Sequence, residues 1–345
     1  MKWAALSFIV CIDGERPSLS ILLGHMGFTT MTTYLVTGAA GFIGSNIVEE
    51  LVRRGQSIRA LDNLSTGKRS NLEPFLSNID FVEGDVTDSS LLAEAMRGVD
   101  YVLHQAALPS VPRSVADPLT SHEINATGTL KVLLAARDAG VKRVVYASSS
   151  SVYGNSPTMP KHEEMPTQPL SPYAVNKLAG EEYAKVFAHL YDLPTVSLRY
   201  FNVFGPRQDP HSAYAAVIPA FIAAMLENRR PTIYGDGAQT RDFTYVSNVV
   251  NANLLACESS KADGMALNVA CGESFSLLDL AHHINRLLGT NIEPLFEPER
   301  KGDVKHSLAA IEKARESLGY KAQTSFHEGL DLTLRSMQNL LIHNP

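Results

Sequence analysis

A tyrosine and a lysine four residues apart could together carry out proton transfer. Tyr173 and Lys177 would share one face of a helix. Ser171 and Pro172, just before them, are typical of an N-cap and a first helical residue. A tyrosine with its ordinary pKa of about 10 is a poor base, but a neighbouring ammonium or the positive end of the helix dipole would lower that pKa. Together with Ser149, the pair predicts an acid–base group, whereas taken alone it would more often be an exposed helix face.

A second group of residues could bind a dinucleotide phosphate. Gly38, Gly41 and Gly44 follow a predicted buried strand over 33–37 and open a predicted helix over 42–53, whose apolar residues recur at helical spacing. These glycines suit a tight turn, a close approach of the backbone to a pyrophosphate, and close packing of helix on strand. Backbone N–H groups at the start of such a helix face the anion.

An acidic residue is placed for the adenosine ribose. Asp62 follows a predicted strand over 57–61 and stands 18 residues beyond Gly44. A carboxylate at this place can bind both ribose hydroxyls and repels a 2′-phosphate. The position therefore favours NAD over NADP, although a simple turn or cap aspartate would look the same in the sequence.

The elements that would position these residues alternate along the chain. Residues 81–86, 99–105 and 141–147 are predicted strands, and 130–139 is a predicted helix. Such alternation indicates an α/β fold, a Rossmann-type doubly wound parallel sheet with right-handed crossovers. Ligands of these sheets lie at the carboxyl ends of the strands, which is where the run Ser148–Ser151 falls.

Composition excludes several classes of protein. The 345 residues carry a net charge of −6 and a pI near 6.0, so the chain has no basic footprint for nucleic acid. No stretch is long and apolar enough to span a membrane. Cys11, Cys257 and Cys271 lack metal or redox spacing. We therefore expect free thiols, no metal site and a reducing, cytoplasmic compartment.

The first thirty residues do not fit this pattern. Residues 1–12 resemble a short signal sequence, but acidic residues follow and no convincing small-residue cleavage site is present. Met31 stands directly before the first predicted strand. We expect a native start there or at Met26, with the extension as an upstream reading artefact or an arm outside the fold.

Longer stretches carry a resemblance to a known family. They are Tyr146–Gly154, Leu198–Pro206, Ile233–Gly237, Thr240–Phe243 and Arg300–Asp303. With the glycine turn and the Tyr-x-x-x-Lys pair, they make the chain from about residue 32 to 335 resemble the UDP-sugar 4-epimerases of the extended short-chain dehydrogenase/reductase family. The UDP-N-acetylglucosamine 4-epimerases are the most similar group.

The resemblance implies a reaction with no net redox change. Tyr173 would remove the proton of the sugar 4-hydroxyl while a hydride passes from C4 to tightly held NAD⁺. The 4-keto sugar would turn about its pyrophosphate link and take the hydride back on its other face. Ser149 would hydrogen-bond the 4-oxygen, and Lys177 would bind the nicotinamide ribose and tune the tyrosine.

The resemblance also implies the contacts of each ligand. The cofactor contacts, with Asp85 and Val86 beside adenine, would be Gly38, Gly41, Phe42, Ile43, Gly44, Asp62, Asn63, Asp85, Val86, Ala106, Tyr173, Lys177 and Tyr200. The substrate contacts would be Ser149, Ser150, Tyr173, Asn202, Ala216, Val217, Tyr234, Arg241, Arg300, Asp303 and Ser307. Asn202, Arg241 and Arg300 would hold the diphosphate, which requires fixed donors. Asp303 would bind the uridine ribose, and the backbone around Tyr234 the uracil.

Individual positions separate close relatives. Ser150 and Ser151 stand where sugar-nucleotide dehydratases and decarboxylases carry carboxylates, so elimination of water would lack its acid. UDP-glucuronate 4-epimerases tend to have threonine at the place of Asn202 and arginine at that of Asp209, and an aspartate would repel the sugar carboxylate. Ser307 stands where glucose-restricted members carry tyrosine, which leaves room for an acetamido group. We expect UDP-GlcNAc/UDP-GalNAc as the main substrate pair, with UDP-Glc/UDP-Gal also turned over.

The long connections after Tyr200 predict two domains. Residues 31–200, with 238–265 returning to them, would form the NAD-binding domain. A smaller C-terminal substrate-binding lobe would consist of 201–237 and 266–335.

A dimer and three rival functions complete the expectations. Predicted helices over 91–97 and 126–139 carry apolar faces, and family members commonly pair through helices, so we expect a C2 homodimer. A UDP-glucuronate 4-epimerase and a net NAD-dependent oxidoreductase that releases NADH stay open as alternatives. A non-catalytic dinucleotide sensor is the third possibility, against which the intact Ser149, Tyr173 and Lys177 argue.

Overall fold

The computed structural model describes residues 31–210, 216–299 and 305–343, with side chains to residue 339. Its strands are β1 (Thr33–Thr37), β2 (Ser57–Asp62), β3 (Asp80–Glu83), β4 (Tyr101–His104), β5 (Arg143–Ser149), β6 (Thr195–Tyr200), β7 (Val203–Phe204), β8 (Thr232–Tyr234), β9 (Thr240–Arg241), β10 (Thr244–Tyr245), β11 (Met265–Val269), β12 (Phe275–Ser276) and β13 (Leu295–Glu297). The extension predicted over 1–30 lies outside the described residues.

The α-helices of the same ranges cover both faces of the main sheet, and five of them follow β6. They are α1 (Phe42–Arg53), α2 (Ser89–Ala95), α3 (Val111–Ala116), α4 (Pro118–His122), α5 (Gly128–Asp138), α6 (Pro172–Leu190), α7 (Val217–Leu226), α8 (Val246–Glu258), α9 (Leu277–Leu288), α10 (Glu312–Leu318) and α11 (Phe326–His343). Among these helices, none combines the length and the apolar character that crossing a membrane requires.

Seven strands form one parallel sheet in the order β11-β6-β5-β4-β1-β2-β3. The order reverses direction at β1 and β4, as in a doubly wound fold, because the chain runs outward from β1 first on one side and then on the other. The predicted fold class is therefore confirmed. The reversal places the carboxyl ends of β1 and β4 next to each other.

Alternate residues of β1 enter two separate cores, one on each face of the sheet. Leu35 packs into the core that contains Leu92 of α2 and Val132 of α5, whereas Val36 packs into the core that contains Ile47 of α1. Both faces are covered, which explains why the central strands are continuous apolar runs.

Two predicted helices do not expose their apolar faces. Helix α2 buries Leu92 and Ala95, and helix α5 buries Val132, Leu133 and Ala136. These side chains belong to one core with β1 residues. The apolar faces from which the dimer was predicted therefore pack on the sheet, and the dimer itself stays a prediction.

Two predicted boundaries shift. The third strand ends at Glu83 rather than at 86, because Asp85 accepts hydrogen bonds from Thr87 and turns the chain. The segment that returns to the main sheet continues beyond 265, since β11 pairs with β6 through Val269. The other strands after Tyr200 form three two-stranded sheets, β10-β7, β12-β9 and β13-β8. The division into a cofactor domain and a substrate lobe stays a prediction.

Candidate active site

The turn after β1 has no space for side chains at two of its glycines. Gly38 has a φ of +67°, and a Cβ there would lie 2.7 Å from the Ala106 nitrogen. A Cβ on Gly44 would lie 2.1 Å from the Gly38 oxygen. Helix α1 starts after Gly41 with no side-chain cap, so its first N–H groups face the turn. The turn fits a pyrophosphate, because bare backbone donors at a helix start favour an anion.

Asp62 ends β2 beside this turn with both carboxylate oxygens fixed. Its Oδ2 accepts from the Ala40 nitrogen at 2.9 Å, and its Oδ1 accepts from the Leu64 nitrogen at 2.8 Å. Burial raises its pKa, and these N–H groups oppose that shift. The side chain is thus a placed acceptor at the strand end, as a ribose hydroxyl requires.

A pocket at this end of the sheet brings together six of the predicted cofactor contacts. It is lined by Gly38, Leu61, Asp62, Asn63, Ser65, Thr66, Gly84, Asp85, Val86, Ala106, Ala107, Leu108 and Ile124. Asn63 Nδ2 donates to Asp85 Oδ2 at 2.6 Å across the pocket. Although burial alone would raise the pKa of Asp85, hydrogen bonds from Thr87 and Asn63 hold it below its usual range.

The acid–base group forms where β5 meets α6. Ser171 caps α6 by accepting from the Ala174 nitrogen at 3.2 Å, which places Tyr173 in the first turn as predicted. Ser149, the last residue of β5, lies close enough to the Tyr173 phenol to lower its pKa. Lys177 Nζ lies 5.9 Å from the centre of the Tyr173 ring. The three predicted catalytic residues therefore stand together.

The ionisation of this group differs from the expectation. Burial raises the pKa of Tyr173, and the hydrogen bond with Ser149 only partly offsets the shift. Burial lowers the pKa of Lys177 to about 7, against the opposing charge of Glu181. The predicted lowering of the tyrosine pKa is not produced by the described residues. It requires the positive charge that an oxidised nicotinamide ring would add.

A buried histidine links the phosphate turn to the sheet and to α5. His104 Nδ1 lies 2.7 Å from Thr37 Oγ1, and Nε2 lies 3.0 Å from Thr129 Oγ1. Burial lowers its pKa to about 3, so the ring is neutral. Thr37 Oγ1 also accepts from the Ala106 nitrogen at 3.2 Å, which holds the loop after β4 against Gly38. No motif in the sequence singled out this histidine.

Two predicted substrate contacts meet in the second half of the chain. Asn202 Nδ2 donates to the Asp242 backbone oxygen at 3.0 Å and to Ser307 Oγ at 3.2 Å. The carboxylate of Asp242 is fully buried and accepts backbone N–H groups from Cys271, Gly272 and Ala309. Burial raises its pKa to about 6. Asp242 thus joins the segments that carry these contacts.

The structure places four other predicted contacts outside the cofactor pocket. The Tyr200 hydroxyl donates to Gln105 Oε1 at 3.1 Å and accepts from Asn253 at 2.8 Å, and it does not line the pocket above. Ala216 caps α7, which begins at Val217. Tyr234 ends β8, and its backbone oxygen accepts from Gln239 at 2.7 Å.

Four predicted substrate contacts remain. Ser150 follows Ser149 at the start of a short 3-10 turn. Arg241 ends β9 and donates to the backbone oxygens of Thr240 and Lys305. Arg300 and Asp303 lie outside the described residues.

The charge of Asp209 is offset in the structure. Lys68 Nζ lies 3.0 Å from Asp209 Oδ2. The Lys68 ammonium weakens the expected repulsion between Asp209 and a uronate carboxylate. Because Lys68 is paired with Asp209, it does not replace the arginine that would bind such a carboxylate. The sequence did not indicate this pairing, because the two residues stand far apart in the chain.

The doubly wound sheet, the glycine turn and the Ser149, Tyr173 and Lys177 group define an extended short-chain dehydrogenase/reductase. The sequence matches the NAD-dependent epimerase/dehydratase family over residues 34–270. The chain belongs to that family, whose cofactor is NAD, and the resemblance noted in the sequence is confirmed.

Similar proteins agree with this assignment. The UDP-glucose 4-epimerase of Mycolicibacterium smegmatis is 42% identical over 311 residues, which cover 88% of this chain and 98% of that protein. A UDP-N-acetylglucosamine 4-epimerase from Methanobrevibacter ruminantium, solved in complex with UDP-N-acetylmuramic acid, is 42% identical with a TM-score of 0.86, over 90% of this chain and 99% of that one. The UDP-glucose 4-epimerase of Thermus thermophilus, solved with NAD, is 38% identical with a TM-score of 0.81, over 89% of this chain and 99% of that one.

Proposed function

We propose that this protein is a UDP-sugar 4-epimerase acting on UDP-GlcNAc/UDP-GalNAc and also on UDP-Glc/UDP-Gal. The observation that carries the proposal is the placement of Ser149 near the Tyr173 phenol, with Lys177 Nζ 5.9 Å from the same ring and on the same helix face. Ser149 ends β5, which lies next to β4 in the sheet. The cofactor pocket is lined by residues that follow β4 and its other neighbours in that sheet. The relatives described above act on substrates of this class.

In the proposed reaction the protein handles one proton and orients one oxygen. Tyr173, as phenolate, takes the proton of the sugar 4-hydroxyl, and Ser149 hydrogen-bonds that oxygen as it becomes a carbonyl. Lys177 as an ammonium ion stabilises the phenolate. NAD, held by the glycine turn and Asp62, would supply the hydride acceptor and donor that the protein itself lacks. When the 4-keto sugar presents its other face, Tyr173 gives the proton back, so the product differs only in configuration at C4.

The substrate assignment depends on the surroundings of Ser307. Its side chain is small and accepts a hydrogen bond from Asn202, a residue proposed to bind the diphosphate. Room beside the sugar C2 substituent would admit an acetamido group and would also admit a hydroxyl. For UDP-glucuronate the site offers no matching arginine at Asp209, and the Lys68 charge beside it is already paired.

The proposal is tested by incubating the purified protein, with no added cofactor, separately with UDP-GlcNAc, UDP-Glc and UDP-glucuronate, and reading the products by proton NMR. We expect the galacto epimers of the first two substrates, with bound NAD extracted from the protein and no NADH released. Accumulation of NADH would support the net oxidoreductase. Conversion of UDP-glucuronate alone would overturn the substrate assignment.

We also propose a homodimer, formed through α6 rather than through α2 and α5. The face of α6 opposite Tyr173 and Lys177 exposes Val175, Tyr183, Val186 and Leu190. The adjoining α4 exposes Leu119. A twofold axis would bury the same face of both copies, which an apolar stripe of this kind favours.

The dimer is tested by light scattering at micromolar concentration. Val186→Lys should shift the mass from dimer to monomer. Leu287→Lys on α9 is the matched control, because Leu287 is 40% exposed and Val186 is 41% exposed. A monomeric wild type, or equal masses for the two variants, would contradict the proposal.

The proposed setting is the cytoplasm. Cys257 is buried and Cys271 is partly buried, and neither forms a disulfide. Free thiols are typical of reducing compartments. Localisation of a tagged full chain checks this proposal.

A further inference from the structure

A buried ion pair lies directly behind the proposed acid–base group. Glu181 follows Lys177 by one helical turn on α6, and Arg199 lies on β6. Arg199 Nε and Nη2 bind the Glu181 carboxylate at 2.7 to 3.2 Å. The side chains of Glu181 and Arg199 are 2% and 6% exposed, respectively. The pair is a two-pronged, charge-assisted contact away from water.

The carboxylate of Glu181 also holds the strand that carries Ser149. Ser148 Oγ donates to Glu181 Oε1, and Ser148 directly precedes Ser149 at the end of β5. Tyr173, Lys177 and Glu181 repeat every four residues on one helix face. Glu181 therefore ties the strand of one proposed catalytic residue to the helix of the other two.

Arg199 extends the network toward the segment of Ser307. Its Nη1 donates to the Tyr153 hydroxyl at 2.9 Å, which donates to Asn268 Oδ1 at 2.8 Å. Asn268 Nδ2 donates to the backbone oxygens of Lys161 and Ala310, three residues beyond Ser307. The ion pair thus connects the acid–base group with the predicted substrate-binding segment.

The charges around Lys177 single out Glu181. The titratable groups that interact with Lys177 are Tyr146 on β5, His104 on β4, and Tyr173 and Glu181 on α6. While Tyr173 is protonated, the two phenols and the neutral imidazole bring no negative charge. Glu181 is the anion whose field favours the ammonium form of Lys177.

Stability does not explain the pair. Desolvating two charges costs about as much as their attraction returns, and apolar residues of similar volume often serve as well. A pair that adds little stability, yet contacts both sides of the acid–base group, points to a role in the reaction.

We propose that Glu181, held in place by Arg199, is a positioning residue of the epimerase: its charge keeps Lys177 as an ammonium ion, and its bond to Ser148 holds Ser149 near Tyr173. This inference rests on the proposed function of those three residues. It assigns Glu181 no contact with the sugar or the cofactor.

The test is the pH profile of kcat for Glu181→Gln. Glutamine keeps an oxygen that can accept from Ser148 but removes the negative charge. Because a nearby anion favours the protonated amine, its loss lowers the pKa of Lys177, so kcat falls off at a lower pH on the alkaline side. We expect a displacement of about one pH unit, the low end of the effect of one neighbouring charge.

The matched control is Asp263→Asn, which removes the carboxylate opposite another buried arginine, Arg143, outside the site. It should change stability without moving the pH profile. A second variant, Glu181→Gln with Arg199→Met, removes both charges, so that misfolding caused by an unpaired buried arginine is avoided. It should displace the profile in the same direction. A uniform fall of kcat at all pH values in both Glu181 variants would overturn the inference.

A titration of the Tyr173 phenolate separates this inference from the proposed function. The ultraviolet difference absorbance of the NAD-bound protein, minus that of Tyr173→Phe, follows this ionisation without sugar substrate. In Glu181→Gln we expect the Tyr173 pKa to rise, because the ammonium is lost earlier. An unmoved titration in a wild type that epimerises UDP-sugars overturns the role of Glu181 alone. A moved titration in a protein without epimerase activity overturns the proposed function alone.

Discussion

The cofactor half and the substrate half of the site are built in different ways. The proposed cofactor half centres on two short segments at neighbouring strand ends, the turn Gly38–Gly44 and Asp62–Asn63, joined by the bond from the Ala40 nitrogen to the Asp62 carboxylate. The substrate half joins Asn202, Asp242 and Ser307, which are up to 105 residues apart. Each of the two central cofactor segments has a local sequence pattern of its own. The substrate half exists only when distant segments have folded onto Asp242.

Breaking the acid–base group, on which both halves depend in the proposed reaction, should have the largest effect. Tyr173→Phe removes one oxygen and little volume. We expect kcat to fall by about 10²- to 10⁴-fold, the contribution of a positioned acid–base group, while NAD and UDP-sugar stay bound. The measurements are steady-state kinetics and calorimetric titration of UDP-sugar. Near wild-type kcat would show that another group handles the proton.

A side chain added in the glycine turn should abolish NAD binding by the cofactor half. A Cβ on Gly44 would lie 2.1 Å from the Gly38 oxygen, which is backbone and cannot yield. We expect Gly44→Ala to cost more than about 3 kcal/mol, beyond ordinary overpacking, and to abolish retention of NAD.

Gly55→Ala is the control for this prediction. Gly55 has a φ of +67° but no atom within 4 Å of an added Cβ. The variant should lose about 1 kcal/mol from backbone strain alone and should keep NAD. Thermal melts and the NAD content of purified protein measure both variants. Equal NAD content would mean that the turn tolerates side chains.

The substrate half should respond to pH through Asp242. Its folded-state pKa of about 6 lies above the ordinary aspartate value of 3.8 because of burial. The folded protein therefore binds this proton more tightly than the unfolded chain, so the contribution of Asp242 to stability is full below about pH 4 and is lost as pH rises to about 6. We expect a loss of about 2 to 3 kcal/mol.

The comparison with Asp242→Asn isolates this contribution. The asparagine does not ionise, so the unfolding free energy of the variant should lack this fall between about pH 4 and 6. Denaturant unfolding of both proteins across the interval makes the measurement. Parallel pH dependences would show that another carboxyl group is responsible.

The smallest predicted effect concerns selectivity within the substrate half. Ser307→Tyr should fill the space proposed beside the C2 substituent and cost about 1–3 kcal/mol for an acetamido sugar, roughly tenfold to a hundredfold in kcat/KM. It also removes one of the two hydrogen-bond partners of Asn202, so kcat/KM should fall by a small common factor for both sugar pairs. Ser307→Ala removes that hydrogen bond without adding volume and serves as the control. Equal losses for both sugar pairs in Ser307→Tyr would place Ser307 away from the C2 group.

The contrast between local segments and distant tertiary contacts also explains what the sequence could predict. The parallel sheet, the strand end at Asp62 and the N-cap at Ser171 follow from local periodicity and residue type, and the structure agrees with them. The pairing of Lys68 with Asp209 and the three N–H groups on Asp242 could not be predicted, because they depend on tertiary contacts without a local pattern. Glu181 had a signal that was overlooked, its place one helical turn beyond Lys177 on the same face as Tyr173.

In the proposed reaction, hydride leaves and returns to the same sugar carbon with no net redox change. The most direct test uses UDP-GlcNAc carrying deuterium at C4, incubated with the purified protein without added NAD. We predict a UDP-GalNAc product that retains the deuterium at C4, as read by mass spectrometry and NMR. Loss of the label to solvent, or its release in NADH with a keto product, would contradict the proposed reaction.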